Sequence, residues 1–210
     1  MKKPIVIIGA GGLGREILSL LKALPEWEPM GFLDDNVNKS STVSGLPVLG
    51  TMDDAKTLLN GSAAVIAIGD PKVKASVASR LEGKGLYFPS LIHPLAILMN
   101  KDTISLGEGT VIGAGAILTT DITLGRHVLI NINATVGHDV AIGSFSSVMP
   151  GVNIAGAVTV GESVLIGAGA NIRNGLIVGS NSLVAMGAAV IRDVQAGHTV
   201  AGVPAKPLNQ

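Results

Sequence analysis

Across residues 106–190 an aliphatic side chain falls at every sixth position without a break: Leu106, Ile112, Leu118, Leu124, Ile130, Val136, Ile142, Val148, Ile154, Val160, Ile166, Ile172, Val178, Val184 and Val190. No helical period produces strict recurrence at six. Eight of these residues are followed directly by glycine (Gly107, Gly113, Gly125, Gly137, Gly143, Gly161, Gly167, Gly179), and the residue four places on is usually small or β-branched, as in Ala116, Val128, Ala134, Val140, Ser146 and Val152. This is the pattern of a hexapeptide β-solenoid. In a short strand alternate side chains share a face, so the aliphatic residue and the small one two places before it point inward. The glycine that follows is expected to turn the corner, since it accepts the positive φ that valine or isoleucine resists. Three hexapeptides make one triangular coil of eighteen residues, so residues 106–195 hold five coils, stacked at roughly 4.8 Å per layer around one aliphatic column. Helices in the same stretch would lose about 1 kcal/mol at each interior glycine.

The repeat begins only after residue 100, which divides the chain into two domains, expected at 1–100 and 101–210. The first reads as α/β. Residues 4–9 form a buried strand and 12–24 a helix with apolar Leu13, Ile17, Leu20, Leu21 and Leu24, joined by Gly9-Ala10-Gly11-Gly12-Leu13-Gly14. A second strand at 30–33 ends in Asp34-Asp35, twenty residues beyond the last of those glycines, the spacing at which a doubly wound fold offers a carboxylate to a ribose. A third strand at 63–68 ends at Gly69-Asp70, a helix follows over 72–81, and a last strand lies near 86–88. A ligand of such a sheet sits at the carboxyl ends of the strands, with glycine-loop and helix N-terminal N–H groups facing phosphate. Three uses of the loop stay open: a nicotinamide cofactor, another nucleotide, or helix packing alone. Fewer than a hundred residues hold one mononucleotide half, which favours the second over the first.

Composition removes several classes of function. Formal charge is zero, and one Trp, one Tyr and three Phe are the only aromatic residues, so phosphate tracking and base stacking both lack their usual groups. Nucleic acid is not an expected partner. With no cysteine there is no disulfide framework, thiolate metal site or cysteine nucleophile. The start, Met1-Lys2-Lys3 before Pro4-Ile5-Val6-Ile7-Ile8, mimics a signal peptide until the glycines and Arg15-Glu16. No apolar run reaches the length of a membrane span, and cytoplasm is the expected location. Only Glu108, Asp121, Arg126, Asp139, Glu162, Arg173, Arg192 and Asp193 are charged within 104–195. So apolar an outer surface implies that part of it is covered, and a three-sided prism lends itself to a homotrimer.

Of the four histidines, His93 precedes Pro94 in the connection between domains, where a hydrogen-bonded linker role is expected, and His127 and His198 read as surface residues near turns. His138 is different. It lies two places after the inward Val136, so its ring leaves the prism at a corner, and Asp139 follows it. Imidazole titrates near neutrality, and a neighbouring carboxylate makes it a better base. A surface turn histidine is the plainer alternative. Asn131 and Asn133, one turn earlier, are corner side-chain ladders or site residues. The tail Gly202-Val203-Pro204-Ala205-Lys206 either caps the last edge of the solenoid or brings a cation to phosphate.

These residues together resemble the NeuD-type sugar acyltransferases, which include acetyltransferases of nucleotide-linked amino sugars. The resemblance covers essentially the whole chain. It rests on Gly9-Ala10-Gly11-Gly12-Leu13-Gly14-Arg15-Glu16, Gly31-Phe32-Leu33-Asp34-Asp35, Leu91-Ile92-His93-Pro94, Val136-Gly137-His138-Asp139 and Gly202-Val203-Pro204-Ala205-Lys206, taken in that order. The resemblance implies a small Rossmann-like parallel sheet followed by a left-handed parallel β-helix, hence an α/β plus all-β chain. It also implies a homotrimer with active sites between neighbouring prisms, acetyl-CoA as co-substrate along the solenoid, no metal, and a nucleotide-sugar held by the first domain. His138 matches the family's general base, Asp139 its acidic partner and Asn131 an asparagine close to the reacting amine. Gly156 matches a backbone N–H facing the thioester, and Ser147, Gly187 and Lys206 complete the cofactor-binding set. Gly11, Gly12, Leu13, Asp34, Asp35 and Gly69 match the substrate-binding positions. Two departures stand out: Leu13 and Ser147 occupy places where many relatives carry histidine. Serine still hydrogen-bonds but carries no proton charge.

The activity so implied is transfer of an acetyl group from acetyl-CoA to the amine of a nucleotide-linked amino-deoxy sugar in surface glycan biosynthesis, without a covalent enzyme intermediate. Competing readings are O-acetylation of a sugar hydroxyl, for instance on sialic acid or a glycan, and a non-catalytic solenoid scaffold. A metal-dependent hydratase on the same fold needs three histidines around the prism. His127 and His138 lie eleven residues apart with no third at a coil spacing.

Overall fold

The computed structural model describes residues 1–38, 41–55 and 62–208. The chain divides into two compact units: Met1–Gly69 with Val73–Leu91, and Ile92–Gln210 with Asp70–Lys72.

The first unit is built on strand β1 (Lys3–Ile8), whose last four residues are apolar and buried, as a central parallel strand requires. Helix α1 (Gly12–Lys22) buries Gly14, Ile17, Leu18, Leu20 and Leu21 along one face and ends before Pro25, with Lys22 in its last turn. Strand β2 (Trp27–Leu33) follows, then β3 (Thr42–Val43), β4 (Leu46–Gly50), β5 (Ala63–Ile66) and helix α2 (Pro71–Leu81). The sheet order is β3-β4-β2-β1-β5, with every pair parallel except the β3-β4 hairpin. That hairpin turns on Ser44-Gly45, both at positive φ, and this dipeptide is its local signal in the sequence. The strand expected near 86–88 is only a parallel bridge between Ala63 and Tyr87. β1 lies between β2 and β5, so the loop after β1 and the carboxyl ends of its neighbours meet at the switch point.

The second unit is a left-handed parallel β-helix of three sheets. A first sheet of eight strands carries Leu129–Ile130 and Ser147–Val148, a second of six carries Thr135–Val136 and Asn153–Ile154, and a third of five carries Ala141–Ile142. Between Leu106 and Val190 strands pair in parallel with those eighteen residues on, as Val136 does with Ile154, Ile154 with Ile172 and Ile172 with Val190. The stack is longer than the unbroken period. Leu91–Ile92 and Ile97–Leu98 already belong to it, but the single 3-10 turn Lys101–Thr103 inserts two residues, so Leu98 pairs with Leu118. At the far end two residues are missing and Val184 pairs with Val200.

The corners turn differently from the expectation. Positive φ falls three places after each inward aliphatic from Leu106 to Val184, at Gly109, Gly115, Asp121, His127, Asn133, Asp139, Phe145, Gly151, Ala157, Ser163, Gly169, Gly175, Asn181 and Gly187. The glycines directly after the strands have ordinary φ and serve close approach instead. A Cβ on Gly137 would lie 2.7 Å from the Gly156 nitrogen, and one on Gly167 would lie 2.6 Å from that of Met186, both in the next coil. Inside, Leu118, Val136, Ile154, Ile172 and Val190 form one of three aliphatic columns. Each buried side chain of this kind contributes roughly 1.5–3 kcal/mol. The buried hydroxyls of Thr110, Ser146 and Ser182 donate to the carbonyls of Gly107, Gly161 and Gly179, so none is left unsatisfied.

Candidate active site

His138 lies at the corner between Thr135–Val136 and Ala141–Ile142. Val136 is buried in the core, Gly137 brings the chain against the next coil, and the imidazole emerges. Asp139 takes the left-handed conformation, φ 58°, which aspartate tolerates better than most residues. That bend folds its carboxylate back, and Oδ2 lies 2.8 Å from His138 Nδ1. With the proton on Nδ1 donated to the carboxylate, the Nε2 lone pair is left as the base. The corner is pinned by Asp139 N–H donating to the Thr120 carbonyl and Ala157 N–H to that of His138.

Gly156 stands one coil beyond His138 in the same column. A Cβ there would overlap the ring, 2.5 Å from Cε1 and 2.9 Å from Cδ2, with Nε2 nearer still. Among the described residues the Gly156 N–H has no hydrogen-bond acceptor. A basic nitrogen and a free N–H donor therefore meet at one exposed corner.

Asn131 does not join them within one chain. It sits at the other end of the strand Thr135–Val136, at the opposite corner of the coil, 7% exposed, with Oδ1 accepting the Ile132 N–H at 2.7 Å. Asn133 is one of the left-handed corner residues, φ 54°. Gly187, φ 66°, belongs to that corner column too, with open space around its Cα. Between the two corners the second sheet carries a hydrogen-bonded row: Thr135 Oγ1 donates to Asn153 Oδ1 at 2.8 Å, and Asn153 Nδ2 to Asn171 Oδ1 at 3.0 Å. These residues, with Ala155 and Arg173, line a groove of about 350 Å³. Ser147 is fully buried on the first sheet, paired with Leu129 and Leu165. Lys206 belongs to a short strand, Lys206–Pro207, antiparallel to Thr199–Ala201, and lines a cavity of about 340 Å³ with Arg192, Asp193 and His198. Capping strand and cavity-lining cation are thus the same residues.

His127 departs from the expected surface position. It is 5% exposed, its ring lies over Gly109, where a side chain would collide with it, and it stacks on Phe145 with centroids 5.7 Å apart. The neighbours that bury it are one coil away in either direction. His198 is exposed, and His93 accepts the Leu95 N–H at Nδ1 within a turn.

In the first unit, Gly14 lets α1 pack against β1, since a Cβ would meet the Gly9 carbonyl. Gly11 and Gly12 have no such reason. Neither has positive φ, and nothing lies within 4 Å of where a Cβ would be. Gly11 caps α1 without any side-chain hydrogen bond, so the first-turn N–H groups face outward, and Leu13 behind them is half-buried. Asp34 ties the end of β2 to this loop: Oδ2 accepts the Ala10 N–H at 2.7 Å and Oδ1 the Asn36 N–H at 2.8 Å. Asp35 is engaged elsewhere. It accepts the Met52 N–H at 2.9 Å and pairs with Arg80 at 2.6 Å, and Arg80 also reaches Asp53. The Met52 N–H, and after it Arg80, hold the Asp35 carboxyl below the ordinary carboxylate range. Gly69 is half-buried beyond the end of β5. Sequence reasoning missed Arg80 and Met52 as the partners of Asp35; no local signal marks a pairing across 45 residues.

Among the described residues no group of three or more His, Cys, Asp or Glu side chains is placed to hold a metal ion, and no helix is long and apolar enough to cross a membrane.

Residues 4–81 match the family model of the PglD N-terminal domain. The chain is 35% identical over 116 residues to a UDP-N-acetylbacillosamine N-acetyltransferase of Bacillus subtilis (strain 168); the match covers 53% of this chain and about half, 52%, of that protein. Among solved structures, the acetyltransferase domain of PglB from Neisseria gonorrhoeae FA1090, in complex with acetyl coenzyme A, superposes with a TM-score of 0.91. Its sequence identity is 33%, over 99% of this chain and 100% of that one. PerB from Caulobacter crescentus, in complex with CoA and GDP-perosamine, gives a TM-score of 0.89 at 30% identity, over 98% and 97% of the two chains.

Proposed function

Because this chain belongs to the NeuD-type sugar acyltransferase family, we propose that it transfers an acetyl group from acetyl-CoA to the amine of a nucleotide-linked amino-deoxy sugar. The observation that carries this reading is the corner dyad: His138 Nδ1 held at 2.8 Å by Asp139, with the ring against Gly156, whose N–H has no acceptor among the described residues. The sugar amine attacks the thioester carbonyl carbon, and His138 Nε2 takes the proton that the nitrogen loses. The Gly156 N–H stabilises the tetrahedral oxyanion. Collapse breaks the carbon–sulfur bond, and the CoA thiolate recovers the proton from His138. Asp139 favours the imidazolium that exists in between.

The unfilled space at Gly11 and Gly12 supports diphosphate binding at the start of α1, where uncapped N–H groups and the helix dipole favour an anion. Asp34 supports that site from behind by fixing Ala10. We further propose a homotrimer working in the cytoplasm, where acetyl-CoA is available. Asn131 and His138 occupy opposite corners of one coil, and exposed Leu95, Ile97, Ile132 and Met186 leave apolar surface to cover. In a cyclic trimer the His138 corner of one copy faces the Asn131 corner of the next, which completes the constellation that one chain leaves divided. Lys206 and the groove along Asn153 and Asn171 then lie on the path of acetyl-CoA, with Gly187 in the neighbouring corner column, whereas Ser147, fully buried on the first sheet, is out of its reach.

The test is incubation of the purified protein with acetyl-CoA and UDP-, GDP- and dTDP-linked amino sugars, following free thiol and product mass. Acetylated product from at least one amine, and none from the matching hydroxyl sugars, is expected. Thiol release only with hydroxyl acceptors would replace N-acetylation by O-acetylation, and no acetyl-CoA binding by calorimetry would overturn both.

A further inference from the structure

The corner column that contains the base runs Thr120, His138, Gly156, Asn174, joined by Asp139 N–H to the Thr120 carbonyl, Ala157 N–H to the His138 carbonyl and Gly175 N–H to the Gly156 carbonyl. Thr120 and Asn174 show that this position accepts side chains. Gly156 has no positive φ, so backbone conformation does not call for glycine. Nor does packing against the next coil, which is what requires Gly137 and Gly167. The three atoms nearest to a Cβ at 156 all belong to the His138 imidazole.

We propose that Gly156 is a positioning residue for His138: its missing side chain is the recess in which the imidazole lies, so that Nδ1 stays on Asp139 while Nε2 is held against the corner where the thioester carbonyl must arrive. The ring is gripped from two sides, by the carboxylate of the next residue and by the bare Cα of the next coil. The atoms a methyl group at 156 meets first all belong to a side chain that can rotate about χ1 and χ2, so the coil can keep its shape while the ring swings away. This inference rests on the role of His138 proposed above, but the position of the ring can be read without turnover.

The experiment is Gly156→Ala in the full chain, with thermal melting, steady-state kinetics, and 1H–13C spectra of protein labelled at histidine. Alanine keeps the backbone N–H, so any loss reports the ring and not the oxyanion donor. The melting temperature is expected to stay within about 2 °C of wild type. The His138 Cε1–H signal should move while those of His93 and His198 stay, and kcat should fall about tenfold or more with both KM values within a few fold. A folded variant with an unmoved His138 signal, or with kcat within about twofold of wild type, would overturn the inference. A large drop in melting temperature would overturn it too, by showing that the glycine serves coil packing. If the wild-type chain turns over no amino sugar, the functional reading fails, and the histidine spectra still decide whether Gly156 seats the ring.

Discussion

His138 Nδ1 and Asp139 Oδ2 are 2.8 Å apart although the two residues are sequence neighbours, which on a flat strand would point to opposite faces. The left-handed φ of 58° at Asp139 is what brings them to one side. The same bend that closes the triangular coil therefore makes the dyad.

Asp139→Asn keeps a residue that tolerates this conformation and removes the charge. We expect kcat to fall by roughly tenfold to a hundredfold, since an uncharged partner stabilises the imidazolium less. Melting temperature should be unchanged. Kinetics alongside a melting curve check this, and full activity in the variant would mean that the carboxylate is not coupled to the base.

Gly137→Ala places a Cβ 2.7 Å from the Gly156 nitrogen and 2.9 Å from the Ala155 carbonyl carbon. These are backbone atoms of a stacked coil and cannot rotate aside. A loss of stability on the order of 1–3 kcal/mol is expected, read as a lower midpoint in denaturant.

Gly11→Ala is the converse case. Gly11 has φ −73° and ψ −159°, open to any residue, and nothing lies within 4 Å of the added methyl. Stability should fall by no more than about 1 kcal/mol, since alanine is a poorer N-cap than glycine but meets no neighbour. Nucleotide-sugar affinity should weaken by about tenfold, because the methyl occupies the space through which a phosphate approaches the N–H groups of α1. Calorimetry with the preferred nucleotide gives the answer, and unaltered affinity would move the nucleotide away from this loop.

Asp35 is held below its ordinary value of 3.8 chiefly by the Met52 N–H and then by Arg80. A carboxyl depressed in the folded state contributes stability that is complete above the unfolded value and is lost as pH falls through the folded one. The window therefore lies below about pH 4. Both side chains are more than a third exposed, 38% for Asp35 and 41% for Arg80, which limits the ion pair to less than about 1 kcal/mol. Arg80→Ala should cost little at neutral pH and flatten the acid limb of stability slightly, whereas Asp35→Asn should flatten it more because the Met52 contact also loses its charge.

Much of this molecule is legible in the sequence because a solenoid repeats its core requirement at every sixth residue. The columns through Val136 and Ile154 follow from that alone. The corners do not. Glycine serves both positive φ and close approach, and only the folded structure separates Gly137, which gives way to a neighbouring coil, from the position of Asp139, which carries the turn. His127 reads as a surface residue because the residues that bury it, Gly109 and Phe145, are a full coil away. Two-residue changes in coil length hid the first strands, Leu91–Ile92 and Ile97–Leu98. In the candidate site, the separation of seven residues between Asn131 and His138 concealed a whole intervening strand, and the Asp35–Arg80 pair joins elements with no common pattern.

The most direct measurement of the central claim is thiol release from acetyl-CoA in the presence of the nucleotide-linked amino sugar that the wild-type chain prefers, compared between wild type and His138→Ala. The expected result is a fall in kcat of about 10²- to 10⁴-fold with both KM values within a few fold and an unchanged melting temperature. Turnover preserved within a few fold in His138→Ala would contradict it.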